Sequence, residues 1–231
     1  MVVNGRQPDG VARSAEALRR AVPGADVVEA AADVATPEGC AALAAAAPAV
    51  DILVNNTGIY GGQPFFEIDD AEWERFFRTN VLSAIRLSRA LMPGMLERGW
   101  GRIVFVSSES AINIPADMIH YGFTKTALLA VSRGLAKLAA GTDVTVNAVL
   151  PGPTLTTGVE AMLRPAAEKA GVAVEEAGRR FVRAERATSI IGRMASADEV
   201  AHMIVYACSP QASATTGAAL RVDGGIVEAI T

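Results

Sequence analysis

Short apolar runs alternate along this chain with longer stretches of helical periodicity, and that alternation restricts the fold more than any other feature. Asp51–Asn55 and Arg102–Ser107 are near-continuous apolar runs with β-branched members, as in strands buried on both faces of a parallel sheet. Asp143–Leu150 and Ala218–Val222 read as two further strands. Ala25–Glu29 is a shorter one, and Val2-Val3 a strand remnant. Between them lie the helical segments Pro8–Ala21, Pro37–Ala47, Asp69–Arg98 and Tyr121–Ala139. Strand–helix–strand order implies right-handed crossovers and a doubly wound parallel sheet. The expected fold is α/β and Rossmann-like, one domain over residues 1–231.

Several boundaries have a local cause. Asp9 is a candidate cap for the first helix, and Ser196-Ala-Asp-Glu199 is a capping box opening a helix to Ser209. In Asp69–Arg98, Trp73, Phe76, Phe77, Val81, Ile85 and Leu91 recur at helical spacing, so the aromatics read as core, and Pro93 is expected to bend or break the helix. Residues 154–191 form a charged, Ala-rich insertion with weak helix signals.

Composition excludes several classes of function. With 51% hydrophobic and 20% charged residues the chain is that of a folded globular protein. A net charge of −4 without basic runs argues against nucleic-acid partners. No apolar run reaches membrane-spanning length and no signal peptide opens the chain, so a cytoplasmic location is expected. Cys40 and Cys208 read as buried, reduced thiols, and no cluster with ligand spacing implies a metal.

The chemistry concentrates between Ser108 and Lys125. Ser108 ends an apolar strand. Tyr121 and Lys125, four apart, share one face at the start of a helix. A phenol beside an ammonium, with a serine hydroxyl nearby, suits proton transfer to or from a carbonyl oxygen. The lysine is expected to lower the tyrosine pKa. Ser108 would hold the oxygen as its negative charge develops. His120 cannot share the Tyr121 face and is expected on a loop or pocket rim.

With these residues go Asp51-Ile-Leu-Val-Asn55-Asn56-Thr57-Gly58, Thr79-Asn80-Val81, Val146-Asn147-Ala-Val-Leu-Pro151-Gly152-Pro153-Thr154 and Gly217-Ala-Ala-Leu-Arg-Val-Asp223-Gly224-Gly225. In this order they resemble the classical short-chain dehydrogenase/reductase family, from the first residues nearly to the last. The Tyr-x-x-x-Lys form looks like its carbonyl/alcohol branch rather than the enoyl-reductase branch, where the two residues lie farther apart. The resemblance implies an NAD(P)-dependent oxidoreductase interconverting a ketone and a secondary alcohol on a small molecule. Asn80, Ser108, Tyr121 and Lys125 would form the catalytic tetrad, with Asn80 kinking its helix. Asp33 and Val34 would meet adenine, Asn55 and Gly58 the adenosine ribose, Tyr121 and Lys125 the nicotinamide end, and Pro151, Gly152 and Thr154 the carboxamide. A homo-oligomer, tetramer or dimer, is also implied.

Arg6, near the end of an early strand, stands where NAD enzymes place a carboxylate, and an arginine there accommodates a 2′-phosphate. NADP(H) is therefore expected over NAD(H). One departure is large: the family's opening strand, Gly-rich turn and helix, about 30 residues, have no counterpart here. Weak dinucleotide binding and a shifted or disordered Met1–Gly5 segment are the expected consequences. They leave a second reading, a non-catalytic binding or scaffold protein of the same fold.

Overall fold

In the computed structural model, which describes residues 1–230, strands and helices alternate as β1 (Val2–Gly5), α1 (Pro8–Ala21), β2 (Val28–Ala31), α2 (Pro37–Ala46) and β3 (Ile52–Asn55). There follow α3 (Asp70–Phe77), a π turn (Arg78–Leu82), α4 (Ser83–Arg98), β4 (Trp100–Val106) and α5 (Ile119–Leu138). The chain continues through β5 (Asp143–Pro151), β6 (Thr154–Leu155), α6 (Thr157–Ala170), α7 (Val174–Glu185), β7 (Ala195–Ser196), α8 (Ala197–Cys208) and β8 (Ala219–Val222).

Every strand pairing is parallel. β3, β4, β5 and β8 form one sheet in that order, β1 pairs with β2, and β6 with β7. Alternation along the central strands divides the core. Leu53, Ile103, Phe105, Val146 and Ala148 face Leu87, Leu91 and Met95 of α4 and Leu128 of α5. Val104 and Val149, on the opposite face, meet Ala207 of α8. Leu163, Val182 and Met194 make a smaller core beneath α6 and α7. Among the described residues no helix is long and apolar enough to cross a membrane.

The structure corrects the sequence reading at several points. Residues 1–5 are neither shifted out of register nor irregular: Val2 to Gly5 pair with Val28 to Ala31, and the Asn4 side chain donates to the carbonyls of Ala30 and Ala32. β3 is not buried on both faces. Leu53 and Asn55 point inward, but Ile52 and Val54 are 45% and 39% exposed, because no helix covers that side of the strand. Pro93 does not end its helix, since Leu91, Met92 and Met95 anchor α4 in the core on either side of it. Residues 154–191 are mainly two helices. α6 is capped by Thr156 through Val159 N–H and closed by Gly171 in the left-handed region. At α1 the cap position is Gln7 with Pro8 at the first turn, so Asp9 lies inside the helix. Cys208 is only half-buried.

Candidate active site

Each candidate residue outside the helices lies just beyond the carboxyl end of a strand, where open α/β sheets bind ligands. Arg6 follows β1, Asp33 and Val34 follow β2, Asn55 and Gly58 close β3, Ser108 follows β4, and Gly152 and Thr154 follow β5. The helical candidates are brought there by packing.

Asn80 sits in the π turn, where the backbone bond runs from Ser83 N–H to the Arg78 carbonyl. Its side chain is fully buried. Oδ1 accepts from Ile59 N–H (2.7 Å), and Nδ2 donates to the Ile59 carbonyl and to Thr124 Oγ1 (both 3.0 Å). Thr124 in turn donates to the Tyr121 carbonyl (2.7 Å). One amide therefore ties the loop after β3 to the first turns of α5. The sequence pointed to Asn80 through the resemblance, but Thr124 was not legible, because a threonine inside a helix ordinarily signals nothing.

Lys125 is buried. Its Nζ donates to the Val106 carbonyl (2.9 Å) and lies 5.6 Å from the Tyr121 ring centre. Burial pushes its pKa from 10.5 down to about 8. Tyr121 is half-buried. Burial raises its pKa from 10.0 to about 12, the Ser108 hydroxyl pulls the other way, and the Glu109 charge adds to the rise. The expected lowering by Lys125 is thus overturned: the ammonium is aimed at a strand carbonyl, and desolvation of the phenolate dominates.

The buried lysine has a consequence for stability. Between pH 8 and 10.5 the unfolded chain keeps a proton on Lys125 that the native chain has lost, so stability rises with pH in that window, by up to ~3 kcal/mol. Tyr121 acts in the opposite sense above pH 10, where the native chain holds the extra proton. The thiols of Cys40 and Cys208, whose pKa values burial raises, act against this above pH 9, so from pH 8 to pH 10 the denaturation midpoint should rise in the wild type relative to Lys125→Met. A parallel rise in both would remove Lys125 as the cause.

Ser108 caps a short turn, accepting from Ser110 N–H at 3.1 Å, and its Oγ donates to Glu109 Oε2 at 2.5 Å. Glu109 is buried and paired with Arg186, whose Nε donates to Oε1 at 3.0 Å. Neither residue was identified from the sequence. A charge directly after an apolar strand was a usable signal for Glu109, whereas Arg186 lay in the segment of weak helix signals. Ser107 donates to the Lys125 carbonyl (2.8 Å). His120 is not at the rim: it is 1% exposed, with its ring 4.2 Å from Phe76 and 6.1 Å from Trp73. Burial lowers its pKa.

Two observations bear on whether a dinucleotide fits. Asn55 Oδ1 is buried without a partner, although Nδ2 donates to Ser88. A side chain at Gly58 would stand 3.3 Å from Lys125 Nζ and 3.5 Å from Asn80 Oδ1, closing the space the glycine leaves over them. These features fit a polar ligand lying along the β3 end. Asp33 and Arg6 are exposed, whereas Val34 is buried with its side chain in the core. Gly152 is required by a close approach, since a Cβ there would lie 2.8 Å from the Asp223 carbonyl. Thr154 donates to the Gly152 carbonyl, and Pro151 ends β5 half-buried.

Residues 1–227 match the family model described as enoyl-(acyl carrier protein) reductase, one of the short-chain dehydrogenase models. The chain belongs to the short-chain dehydrogenase/reductase family. It is 45% identical over 230 residues to the Bacillus subtilis oxidoreductase YvaG, covering 100% of this chain and 87% of that one. D-beta-hydroxybutyrate dehydrogenase of Cupriavidus necator is 32% identical over 177 residues, 77% of this chain and 67% of its own. The L-sorbose reductase of Gluconobacter frateurii, solved with NADPH and L-sorbose, superposes with a TM-score of 0.91 at 32% identity, covering 99% of this chain and 87% of that one. This short-chain dehydrogenase/reductase is accordingly an NAD(P)-dependent oxidoreductase in the general sense of its family.

Proposed function

We propose that the protein reduces a ketone on a small molecule to a secondary alcohol, with NADP(H) as the redox partner and Tyr121 as the proton donor. The observation that carries this reading is the meeting of Ser108, Tyr121 and the buried Lys125 beyond the end of β4, with the Asn80 amide tying the neighbouring loop to them. A phenol that keeps its proton at neutral pH is poised to give it up only as the substrate oxygen becomes an alkoxide. NADPH, when bound, supplies the hydride. Lys125, itself buried, holds a cation under the developing charge, and Ser108 offers its hydroxyl to the same oxygen. Asn80 keeps the Gly58–Ile59 loop over Lys125. Asn55, Gly58, Asp33, Pro151, Gly152 and Thr154 stand at the strand ends along which the dinucleotide would lie, with Val34 buried beneath Asp33.

Arg6 is exposed directly after β1, and the L-sorbose reductase was solved with NADPH. Both favour the 2′-phosphate. Arg6→Asp should therefore reverse the preference, lowering kcat/KM with NADPH and raising it with NADH. Unchanged ratios would reject Arg6 as the selecting residue. Turnover itself is tested by NADPH consumption with ketones, L-sorbose among them. Phe123 and Leu138 of α5 are 47% and 68% exposed, and Val205 of α8 is 65% exposed. Such apolar positions suit burial against another copy in a homo-oligomer.

A further inference from the structure

Ser108 has one hydroxyl proton, and in this structure Glu109 holds it. Both carboxylate oxygens of Glu109 are engaged within the protein. Oε2 accepts from Ser108 Oγ (2.5 Å), Ser110 N–H (2.7 Å) and Ser110 Oγ (3.0 Å), while Oε1 accepts from Arg186 (3.0 Å). The ion pair is secluded, its side chains 14% and 5% exposed. The surface ion pairs Arg19–Glu29 and Arg20–Glu16 are far more open. Arg186 comes from the carboxyl end of α7, 77 residues away in the chain. It therefore reaches Glu109 only when the segment after β6 is folded against the end of β4.

We propose that Glu109 and Arg186 are a positioning pair that controls the Ser108 proton, so that the docked end of α7 determines whether the serine can donate to a substrate oxygen. The inference rests on Ser108 being the donor to that oxygen. A carboxylate beside a forming alkoxide opposes reduction unless it is neutralised, and a carboxylate without its guanidinium also holds the serine proton more tightly. Arg186 satisfies both requirements at once. Tyr121 and, beyond it, Tyr60 also face this position, and burial first and then the Glu109 charge raise the Tyr121 pKa.

The pair makes an unusual ordering of variants. Arg186→Met, which strands a buried carboxylate, should lower kcat roughly tenfold or more with little change in KM for NADPH. Glu109→Gln should be milder, and Glu109→Gln combined with Arg186→Met should recover most of the loss. Arg183→Met, an exposed arginine of the same helix, is the control. In a Ser108→Ala background Arg186→Met should cost clearly less than in the wild type, the remainder being the direct opposition of the bare carboxylate to the alkoxide. An equal additional loss there would mean that the pair is only a strut, and would overturn the proposal.

A readout without substrate keeps this separate from the functional reading. In Ser108→Cys, alkylation at position 108 by iodoacetamide, followed by peptide mass spectrometry across pH, reports the thiol directly. Adding Arg186→Met should move the alkylation midpoint to higher pH, and adding Glu109→Gln should move it lower. Identical midpoints in all three proteins would refute the pair's control of that position. A normal response here, with Ser108→Ala fully active, would instead sink the role of Ser108 and leave the pair's effect on it intact.

Discussion

Replacing Tyr121 with phenylalanine is expected to reduce turnover by ~10²–10⁴, with NADPH affinity and the unfolding midpoint close to those of the wild type. Only a hydroxyl is removed, and the ring still packs at the start of α5 beneath the Lys125 ammonium. The folded state loses no hydrogen bond on which another element depends. The size of the effect follows from the role, because without the phenol the alkoxide must take its proton from water. Steady-state kinetics with saturating NADPH, beside a denaturation curve, separates the two quantities. Activity within a few-fold of wild type would remove Tyr121 from the chemistry.

Asn80→Ala is expected to damage both stability and turnover. The side chain satisfies the Ile59 N–H and carbonyl and the Thr124 hydroxyl in a fully buried place. Truncation leaves these groups unpaired, and with a penalty of about 1–3 kcal/mol for each buried group, partly relieved by relaxation, a loss of ~2–4 kcal/mol results. Because Ile59 follows Gly58, the loop over Lys125 is released and kcat falls as well. Asn80→Asp should be intermediate, since it can still accept from Ile59 N–H but cannot donate to its carbonyl. A cost below ~0.5 kcal/mol by chemical denaturation would show that the network is replaceable by solvent.

Most of the architecture was legible where one physical signal acted alone. β4 and β5 announce themselves as apolar runs. The Ser196 capping box forms as its spacing implies, with Ser196 accepting from Glu199 N–H and Glu199 accepting in return. Legibility failed where tertiary context decided. Ile52 and Val54 have the letters of a two-sided strand, yet one face is open, because burial belongs to the neighbours and not to the residue. His120 shares its first turn with Tyr121, and only the arrival of Phe76 and Trp73 turns it into a packing residue. The Glu109–Arg186 pair spans two segments that no local pattern connects. The serine, tyrosine and lysine were readable because their roles require fixed residue types at fixed spacing. The residues that set their protonation carry no such signature.

The π turn also governs which changes in length this protein can bear. Its wide turn at Arg78–Leu82 carries one residue more than an α-helical turn and absorbs it between the aromatic stripe of α3 and the aliphatic stripe of α4. Trp73 and Phe76 are thereby aimed at His120, with Trp73 also meeting Phe123, while Leu87, Leu91 and Met95 are aimed at the sheet. Removing one residue there would close the turn to a regular helix with both stripes still near their partners, displacing mainly Asn80, whereas a deletion within α3 or α4 would rotate one half against the other by about 100°. Between residues 70 and 98 the count of residues can change at the π turn and nowhere else without re-aiming a face.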